Sequence, residues 1–174
     1  EMNILFTSAG RRNYLINYFK KELKEIGKVY AADMQALAPA FIDSDVSLIS
    51  PSIYDKTYVD FLKNIVLKFD IKALIPLNDL ELPILSRHIS EFEKLGTRVL
   101  VSSPSVINIS FDKWETVKFL KGINLKTPKT FIDLSKAKDA INDGTLKFPV
   151  VVKPRWGSAS IAVDFAENSE ELDL

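Results

Sequence analysis

The stretch FPVVVKPRWGSASIAV, residues 148–163, places a lysine where an apolar strand meets a run of small residues. Lys153 is costly to bury unless its ammonium meets an anion, and Pro154 ends the strand because it has no backbone N–H to donate. Residues 157–160 are small enough to bring backbone N–H groups close to phosphate oxygens. The stretch therefore predicts a phosphate-binding strand and turn. The alternative is a hairpin whose lysine extends its charge into solvent.

A second candidate site lies in the segment SAGRRN, which follows the first apolar run of the chain. Gly10 lets the backbone turn sharply into a helix, whose free N–H groups favour an anion. Arg11 and Arg12 add charge and forked donors. Ser8 and Asn13 replace the outer glycines of a G-x-G-x-x-G dinucleotide fingerprint, so that fingerprint is not matched. The segment predicts an anion-binding loop, and the alternative is a structural turn with solvated arginines.

Acidic side chains follow two other apolar runs. Asp33 could bond a hydroxyl group of a ligand or cap the turn that follows it. Asp79 and Glu81 could bind a cationic or hydroxylated group, or serve as the N-cap and first-turn acid of the next helix. Ligands of a doubly wound sheet bind beyond the carboxyl ends of its strands, so we expect these acids to lie near residues 8–12.

The composition excludes several kinds of site and partner. The 174 residues contain 23 Lys plus Arg and 23 Asp plus Glu, so no net field attracts nucleic acid or an anionic membrane. No cysteine is present, which excludes disulfides and thiolate metal sites and suits a cytoplasmic protein. The single histidine, His88, has no metal ligand near it in sequence. No apolar run approaches the ~18 residues of a membrane span.

Strands that are apolar throughout alternate with amphipathic helices in the first part of the chain. The predicted strands are residues 3–7, 28–33, 46–50, 71–78 and 98–103. Three helices are predicted. The first follows SAGRRN and has its C-cap at Gly27, the second spans residues 55–69, and the third spans about residues 81–95. This alternation indicates a parallel sheet covered on both faces. The predicted fold class is α/β: a doubly wound, mainly parallel, Rossmann-like domain over residues 2–109. If its strands have the usual order 3-2-1-4-5, strands one and four are neighbours at the switch point.

The pattern changes in the rest of the chain. Helices are predicted at 111–121 and 134–143, and strands in KTPKTFI, FPVVVK and SIAVDF. This predicts an α+β unit over residues 110–174 that is short of elements for a complete domain. The terminal NSEELDL begins like a helix, and Glu1 precedes a natural-looking start at Met2. We therefore expect the amino-terminal piece of a longer protein.

Five segments of the chain together resemble the ATP-grasp superfamily, in particular the large subunit of carbamoyl-phosphate synthase. VVVKPRWGSASIAV is similar to the family's VVKPRxGSGSxGV lysine strand and glycine-rich loop. The others, in chain order, are NILFTSAGRRNYL, AADMQALAPAFIDSD, IPLNDLELPILS and DKWETVKFLKGINLKTPKTF. The ordered set covers nearly the whole chain. Ala159 and Ala162 depart from the pattern, because the family commonly has glycines there.

The resemblance implies a role for each matching residue. Lys153 would contact the α and β phosphates of ATP, and Lys113 would match an earlier lysine that reaches the nucleotide phosphates. Gly157, Ser158 and Ser160 would form the loop over the β and γ phosphates. The first domain would be the family's pre-ATP-grasp domain, whose glycine turn holds an anionic group of the acceptor in several members. The candidate substrate-binding residues are Ser8, Gly10, Arg11, Arg12, Asp33, Asp79 and Glu81.

The implied reaction is ATP-dependent ligation of a carboxylate to an amine through an acyl phosphate. Such phosphoryl transfer depends on positioning and charge neutralisation more than on acid–base residues, so no catalytic residue is named in this chain. The Mg²⁺ ligands are expected C-terminal to residue 174, so this piece alone is expected to be inactive. We expect small-molecule substrates, no nucleic acid or membrane partner, and allow for a homodimer. The alternative function is a non-catalytic module that binds a small anion or a partner.

Overall fold

A computed structural model describes residues 1–157 and 159–173. The chain divides into two compact units, Glu1–Pro104 and Ser105–Leu174. The domain boundary predicted at residues 109 and 110 stays a prediction. Within the described part of the chain, no helix is long and apolar enough to cross a membrane.

A five-stranded parallel sheet forms the centre of the first unit. Its strands are β1 (Asn3–Thr7), β2 (Val29–Asp33), β3 (Val46–Ile49), β4 (Ile71–Pro76) and β5 (Arg98–Val99). Their order across the sheet is β3-β2-β1-β4-β5, and every neighbouring pair is parallel. The predicted strand order is therefore confirmed, with the switch point between β1 and β4.

Helices cover both faces of this sheet. They are α1 (Asn13–Leu23), α2 (Ala40–Asp43), α3 (Tyr58–Lys68), α4 (Leu82–Ser86) and α5 (Ile89–Lys94). Successive side chains of a strand point to opposite faces, so Ile4 and Phe6 share one core cluster with Ile16 of α1. Leu5 joins the other cluster, with Leu62 of α3. Burial on both faces explains the continuous apolar strands and confirms the doubly wound fold class.

Two predicted elements of this unit differ in the structure. The single helix predicted at 81–95 is a 3₁₀ turn (Asp79–Glu81) followed by α4 and α5. Pro83 stands in the first turn of α4, where a backbone N–H would have no intrahelical acceptor. The Ser86 hydroxyl donates a hydrogen bond to the Pro83 carbonyl. The strand predicted at 98–103 pairs only over Arg98–Val99.

Gly27 is not the helix cap that the sequence suggested. Helix α1 ends at Leu23, and a Cβ added at Gly27 would lie 2.0 Å from the carbonyl oxygen of Met2. The Met2 N–H donates to the carbonyl of Ile26 at 2.6 Å, which draws the two segments together. The glycine therefore permits a close approach of two backbones before β2 begins.

The second unit contains four helices and two strands in its described part. They are α6 (Pro104–Phe111, whose first residue belongs to the first unit), α7 (Lys113–Gly122), α8 (Leu134–Asn142), α9 (Ser169–Leu172), β6 (Val150–Val152) and β7 (Asp164–Ala166). The two strands pair antiparallel. The helices predicted at 111–121 and 134–143 are confirmed, and α6 was not predicted.

One strand prediction in this unit is wrong, and another is confirmed only in part. Residues 126–132, KTPKTFI, form no strand. In SIAVDF only the last part is β7, because Ser160 and Ala162 have φ of +57° and +54°. Such left-handed backbone cannot continue an extended strand, so these residues form a turn.

Candidate functional site

A pocket of about 360 Å³ lies in the second unit, beyond the end of β6. Lys113 and Lys153 line it, together with Gly157 and Ser160. The apolar part of its wall consists of Val151, Pro154, Trp156, Ile161 and Val163. Two cationic side chains beside an apolar wall suit a ligand that combines an anionic group with a flat or apolar one.

The two lysines reach this pocket from different elements. Lys113 is the first residue of α7, and its Nζ donates to the carbonyl of Gly157 at 3.0 Å. Lys153 directly follows β6 and is exposed. No hydrogen bond or ion pair joins the Lys153 ammonium to any residue that the structure describes. An anion entering the pocket would therefore meet one ammonium without a protein partner and one held by a single carbonyl.

An ion pair connects the beginning of α7 to the residues after β6. Arg155 Nε donates to Asp112 Oδ1 at 2.8 Å and Oδ2 at 2.9 Å, and Nη2 lies 2.7 Å from Oδ2. The Arg155 hydrogen bonds hold the pKa of Asp112 well below its ordinary range, at about 2. Asp112 is buried and is the N-cap of α7. The sequence alone did not indicate this ion pair. Asp112 lies in the segment DKWETVKFLKGINLKTPKTF and Arg155 lies in VVVKPRWGSASIAV, two of the segments that carry the family resemblance.

The turn after the lysine strand has a backbone that glycine adopts readily. Gly157 has φ of +114°, which side-chain-bearing residues rarely adopt. Ala159 and Ala162, where the family motif has glycines, have φ of +58° and +54°. The alanines therefore follow the left-handed path at a cost of about 1 kcal/mol each. Both positions thus lie in a backbone region that glycine would occupy without this cost.

The structure brings together four of the five residues predicted to bind ATP. Lys113, Lys153, Gly157 and Ser160 line one pocket, and Ser158 lies outside the described residues. Among the residues described, no group of three or more His, Cys, Asp or Glu side chains could hold a metal ion.

The candidate loop in the first unit is closed by an internal carboxylate. Asp33 Oδ2 accepts a hydrogen bond from the Gly10 N–H at 2.8 Å, and Oδ1 accepts one from the Gln35 N–H at 2.8 Å. The Asp33 side chain is largely buried at the end of β2. Asp33 thus caps the following turn, as one alternative proposed, and also occupies an amide that was predicted to bind an external anion.

The two arginines of this loop are exposed. An added Cβ at Gly10 would lie 3.3 Å from Nη1 of Arg12, so that guanidinium lies beside the turn. Ser8, with φ of +47°, is only partly exposed. Neither guanidinium forms an ion pair with the acids in the described part of the chain. The charge available to an external anion here is that of Arg11 and Arg12.

The acids after β4 have different environments. Asp79 is exposed, and Asn78 rather than Asp79 is the N-cap, because its Oδ1 accepts from the Leu80 N–H at 3.0 Å. Glu81 is fully buried, and the Tyr58 hydroxyl donates to its Oε1. Burial raises the pKa of the Glu81 carboxyl and also that of Tyr58. Glu81 therefore lies beneath the sheet edge and not on its surface.

One carboxylate oxygen of Glu81 accepts no hydrogen bond from the residues that the structure describes. Glu81 Oε2 and Thr7 Oγ1 are both buried without a hydrogen bond among the described residues. Thr7 ends β1 and is fully buried, so this unsatisfied pair lies at the switch point of the sheet.

Comparisons with curated proteins find two longer proteins, a ligase and a synthase subunit. A D-alanine–D-alanine ligase from Marinomonas sp. (strain MWYL1) is 35% identical over 83 residues, which are 47% of this chain and 26% of that protein. The arginine-specific large chain of carbamoyl phosphate synthase from Neurospora crassa is 30% identical over 95 residues, 53% of this chain and 8% of that protein. The chain thus spans about a quarter or less of these relatives.

Solved structures show the same fold at low identity. An N5-carboxyaminoimidazole ribonucleotide synthetase from Thermotoga maritima has a TM-score of 0.68 at 18% identity, covering 99% of this chain and 43% of that one. The biotin carboxylase domain of a Hydrogenobacter thermophilus 2-oxoglutarate carboxylase, a dimer solved with MgADP and bicarbonate, has a TM-score of 0.71 at 19% identity. It covers 99% of this chain and 39% of that one.

The family model described as "PylC-like, N-terminal domain" matches residues 4–100, which include the whole parallel sheet apart from its first residue. The two curated relatives and the shared fold agree with the resemblance that the motifs indicated. The chain therefore belongs to the PylC-like N-terminal domain family of the ATP-grasp superfamily.

Proposed function

We propose that this chain is the amino-terminal part of an ATP-dependent ligase that joins a carboxylate to an amine through an acyl phosphate. Membership of the ATP-grasp superfamily supports the reaction class. The observation that carries the proposal is the pocket of the second unit, where Lys113 and Lys153 converge beside the glycine-containing turn. The low coverage of both curated relatives supports a longer enzyme.

In this proposal the pocket holds the phosphates of ATP. Lys153 contacts the α and β phosphates, Lys113 reaches the phosphate chain, and Gly157, Ser158 and Ser160 cover the β and γ phosphates. Ammonium groups stabilise the charge on a transferring phosphoryl group without moving a proton. The apolar wall, with Trp156 at the pocket, suits the purine base.

Mg²⁺ neutralises phosphate charge in such reactions. Among the described residues, no three acidic or histidine side chains are grouped so that they could hold the ion by themselves. We propose, from the resemblance, that its ligands belong to a part of the enzyme beyond the residues of this chain.

The first unit is proposed to receive the acceptor substrate. Exposed Arg11 and Arg12 would contact an anionic group of it, and exposed Asp79 a cationic or hydroxyl group. Ser8, Gly10, Asp33 and Glu81 would hold the shape of the loop, which agrees with the Gly10–Asp33 hydrogen bond and the burial of Glu81. We also propose that the enzyme is cytoplasmic and that it can form a homodimer.

An ATP titration tests the proposed nucleotide site. We expect the 174-residue chain to bind ATP, with Lys153→Ala weakening binding about tenfold or more, because a charge-assisted phosphate contact contributes about 1.5–3 kcal/mol. Lys136→Ala is the matched control, since Lys136 is an exposed lysine of the same unit on α8. Absence of binding, or equal affinities for both variants, would contradict the site.

A further inference from the structure

The two lysines of the pocket stand on segments that are far apart in sequence. Lys113 begins α7, and Lys153 follows β6. A polyphosphate can contact both ammonium groups only while these segments keep a fixed separation. The contacts that fix that separation therefore bear on how well both lysines can contact one polyphosphate.

Asp112 holds both segments at once. Its Oδ1 accepts from the Trp114 N–H at 2.9 Å and the Glu115 N–H at 3.3 Å, which fixes the first turn of α7. The same carboxylate accepts the paired hydrogen bonds of Arg155 from beyond β6. Each partner adjoins a lysine segment: Asp112 directly precedes Lys113, and Arg155 stands two residues after Lys153.

The backbone repeats this connection. The Lys113 N–H donates to the carbonyl of Arg155 at 3.1 Å. The Arg155 guanidinium also lies 4.6 Å from the ring centre of Trp156, a residue of the pocket wall. One arginine thus contacts the helix cap, the first lysine's backbone and the pocket's aromatic side chain.

Arg155 is not placed as a phosphate ligand. Its charge is paired with Asp112, and Nη2 lies 3.5 Å from Glu115 Oε1. A guanidinium bound by a carboxylate in this forked geometry is held in one orientation and is largely neutralised. The Arg155 guanidinium is therefore occupied within the protein and is not available as a phosphate ligand.

We propose that Asp112 and Arg155 are a positioning pair, which fixes Lys113 and Lys153 at the separation that a polyphosphate requires. The proposal rests on the proposed function, since it assumes that both lysines contact phosphates. It assigns to the pair a selective effect on phosphate binding, distinct from a general effect on folding.

The test uses Asp112→Asn and Arg155→Met in the 174-residue chain. Asparagine retains a capping oxygen for the Trp114 and Glu115 amides but loses the charge that holds Arg155. Asp133→Asn is the matched control, because Asp133 caps α8 through the Ser135 and Lys136 amides and has no arginine partner among the described residues. Melting temperatures establish that each variant is folded.

The first measurement needs no ligand. Hydrogen exchange at the Lys113 amide should accelerate about tenfold in both variants as its bond to Arg155 loosens. The Ala137 amide, in the first turn of α8, should not change. Unchanged exchange at Lys113 in both variants would overturn the positioning pair.

The second measurement is the affinity for tripolyphosphate, ATP and adenosine. We expect about tenfold weaker binding of tripolyphosphate and ATP by both variants, and a smaller loss for adenosine, which has no phosphate for the lysines to contact. Equal losses for all three probes would indicate a structural role only, and unchanged polyphosphate affinity despite faster exchange would also overturn the proposal. If the parent chain binds none of the probes, the proposed function fails, and the exchange at Lys113 still decides whether the pair fixes the two segments.

Discussion

The carboxyl edge of the parallel sheet and the pocket of the second unit both display charged groups, but these groups have different partners. At the sheet edge, Asp33 accepts the Gly10 and Gln35 amides, and Glu81 is buried against Tyr58. In the pocket, Lys153 has no partner among the described residues, and Lys113 has one carbonyl. A charged group that the protein already bonds stabilises the fold, whereas a charged group that faces an open pocket is available to a ligand.

Glu81 and Asp112 show the same contrast in their titration. Burial without a cation raises the pKa of Glu81, whereas the hydrogen bonds of Arg155 lower the pKa of Asp112 to about 2. The chemical group is a carboxyl in both cases, and its surroundings decide the direction. Glu81 thus belongs to the interior of the first unit, while Asp112 belongs to the support of the pocket.

The largest expected effect is the loss of stability in Glu81→Ala. Removing this buried side chain leaves the Tyr58 hydroxyl without its acceptor and creates a cavity, so we expect a loss of about 3 kcal/mol in the free energy of unfolding. Urea denaturation measures it. Asp79→Ala, at the exposed neighbouring acid, should cost less than about 0.5 kcal/mol. Equal stability of the two variants would show that Glu81 is not structural.

Asp33→Ala should have a smaller effect on stability and a qualitative effect on binding. Loss of its two backbone hydrogen bonds should cost about 1–2 kcal/mol. The Gly10 amide then becomes free, so sulfate should shift its NMR signal in the variant but not in the parent chain. A sulfate-dependent shift of Gly10 in the parent would contradict the view that Asp33 occupies this amide.

The smallest expected effect is on the pH dependence of the free energy of unfolding, to which Glu81 and Asp112 should contribute in opposite directions. Because the folded-state pKa of Glu81 is raised, its contribution to stability is present below the ordinary value of 4.5 and is lost as the pH rises through the folded pKa. Because that of Asp112 is lowered, its contribution is present above 3.8 and is lost as the pH falls through about 2. Glu81→Gln should flatten the first dependence and Asp112→Asn the second. The same slope in both variants and the parent would contradict these assignments.

The sequence predicted the parts of the structure that depend on local pattern. Continuous apolar runs identified every strand of the parallel sheet, and their alternation with helices predicted its order. The glycine turn and the lysine strand were found because small and charged residues stand at the strand ends. KTPKTFI was misread because an apolar end after a proline resembles a short strand, although tertiary contacts decide such segments.

The features that the sequence did not predict depend on contacts between residues that are far apart in the chain. Asp112 and Arg155 are 43 positions apart, and neither residue type alone indicates a partner. Glu81 in a first turn is typical of an exposed helix start, and only the packing of α3 shows that Tyr58 covers it. The Asp33 bond to Gly10 likewise joins two motifs that the sequence presented as separate binding elements.

Chemical-shift mapping of ATP on the 174-residue chain tests most directly the claim that the pocket of the second unit, and not the sheet edge of the first, holds the nucleotide. We predict that the largest shifts will occur at the backbone amides of Lys113, Lys153 and Gly157 and at the indole of Trp156. The amides of Gly10 and Gln35, which Asp33 holds, should remain unshifted. Shifts concentrated at Gly10 and Gln35, with none at Lys113 and Lys153, would contradict the account.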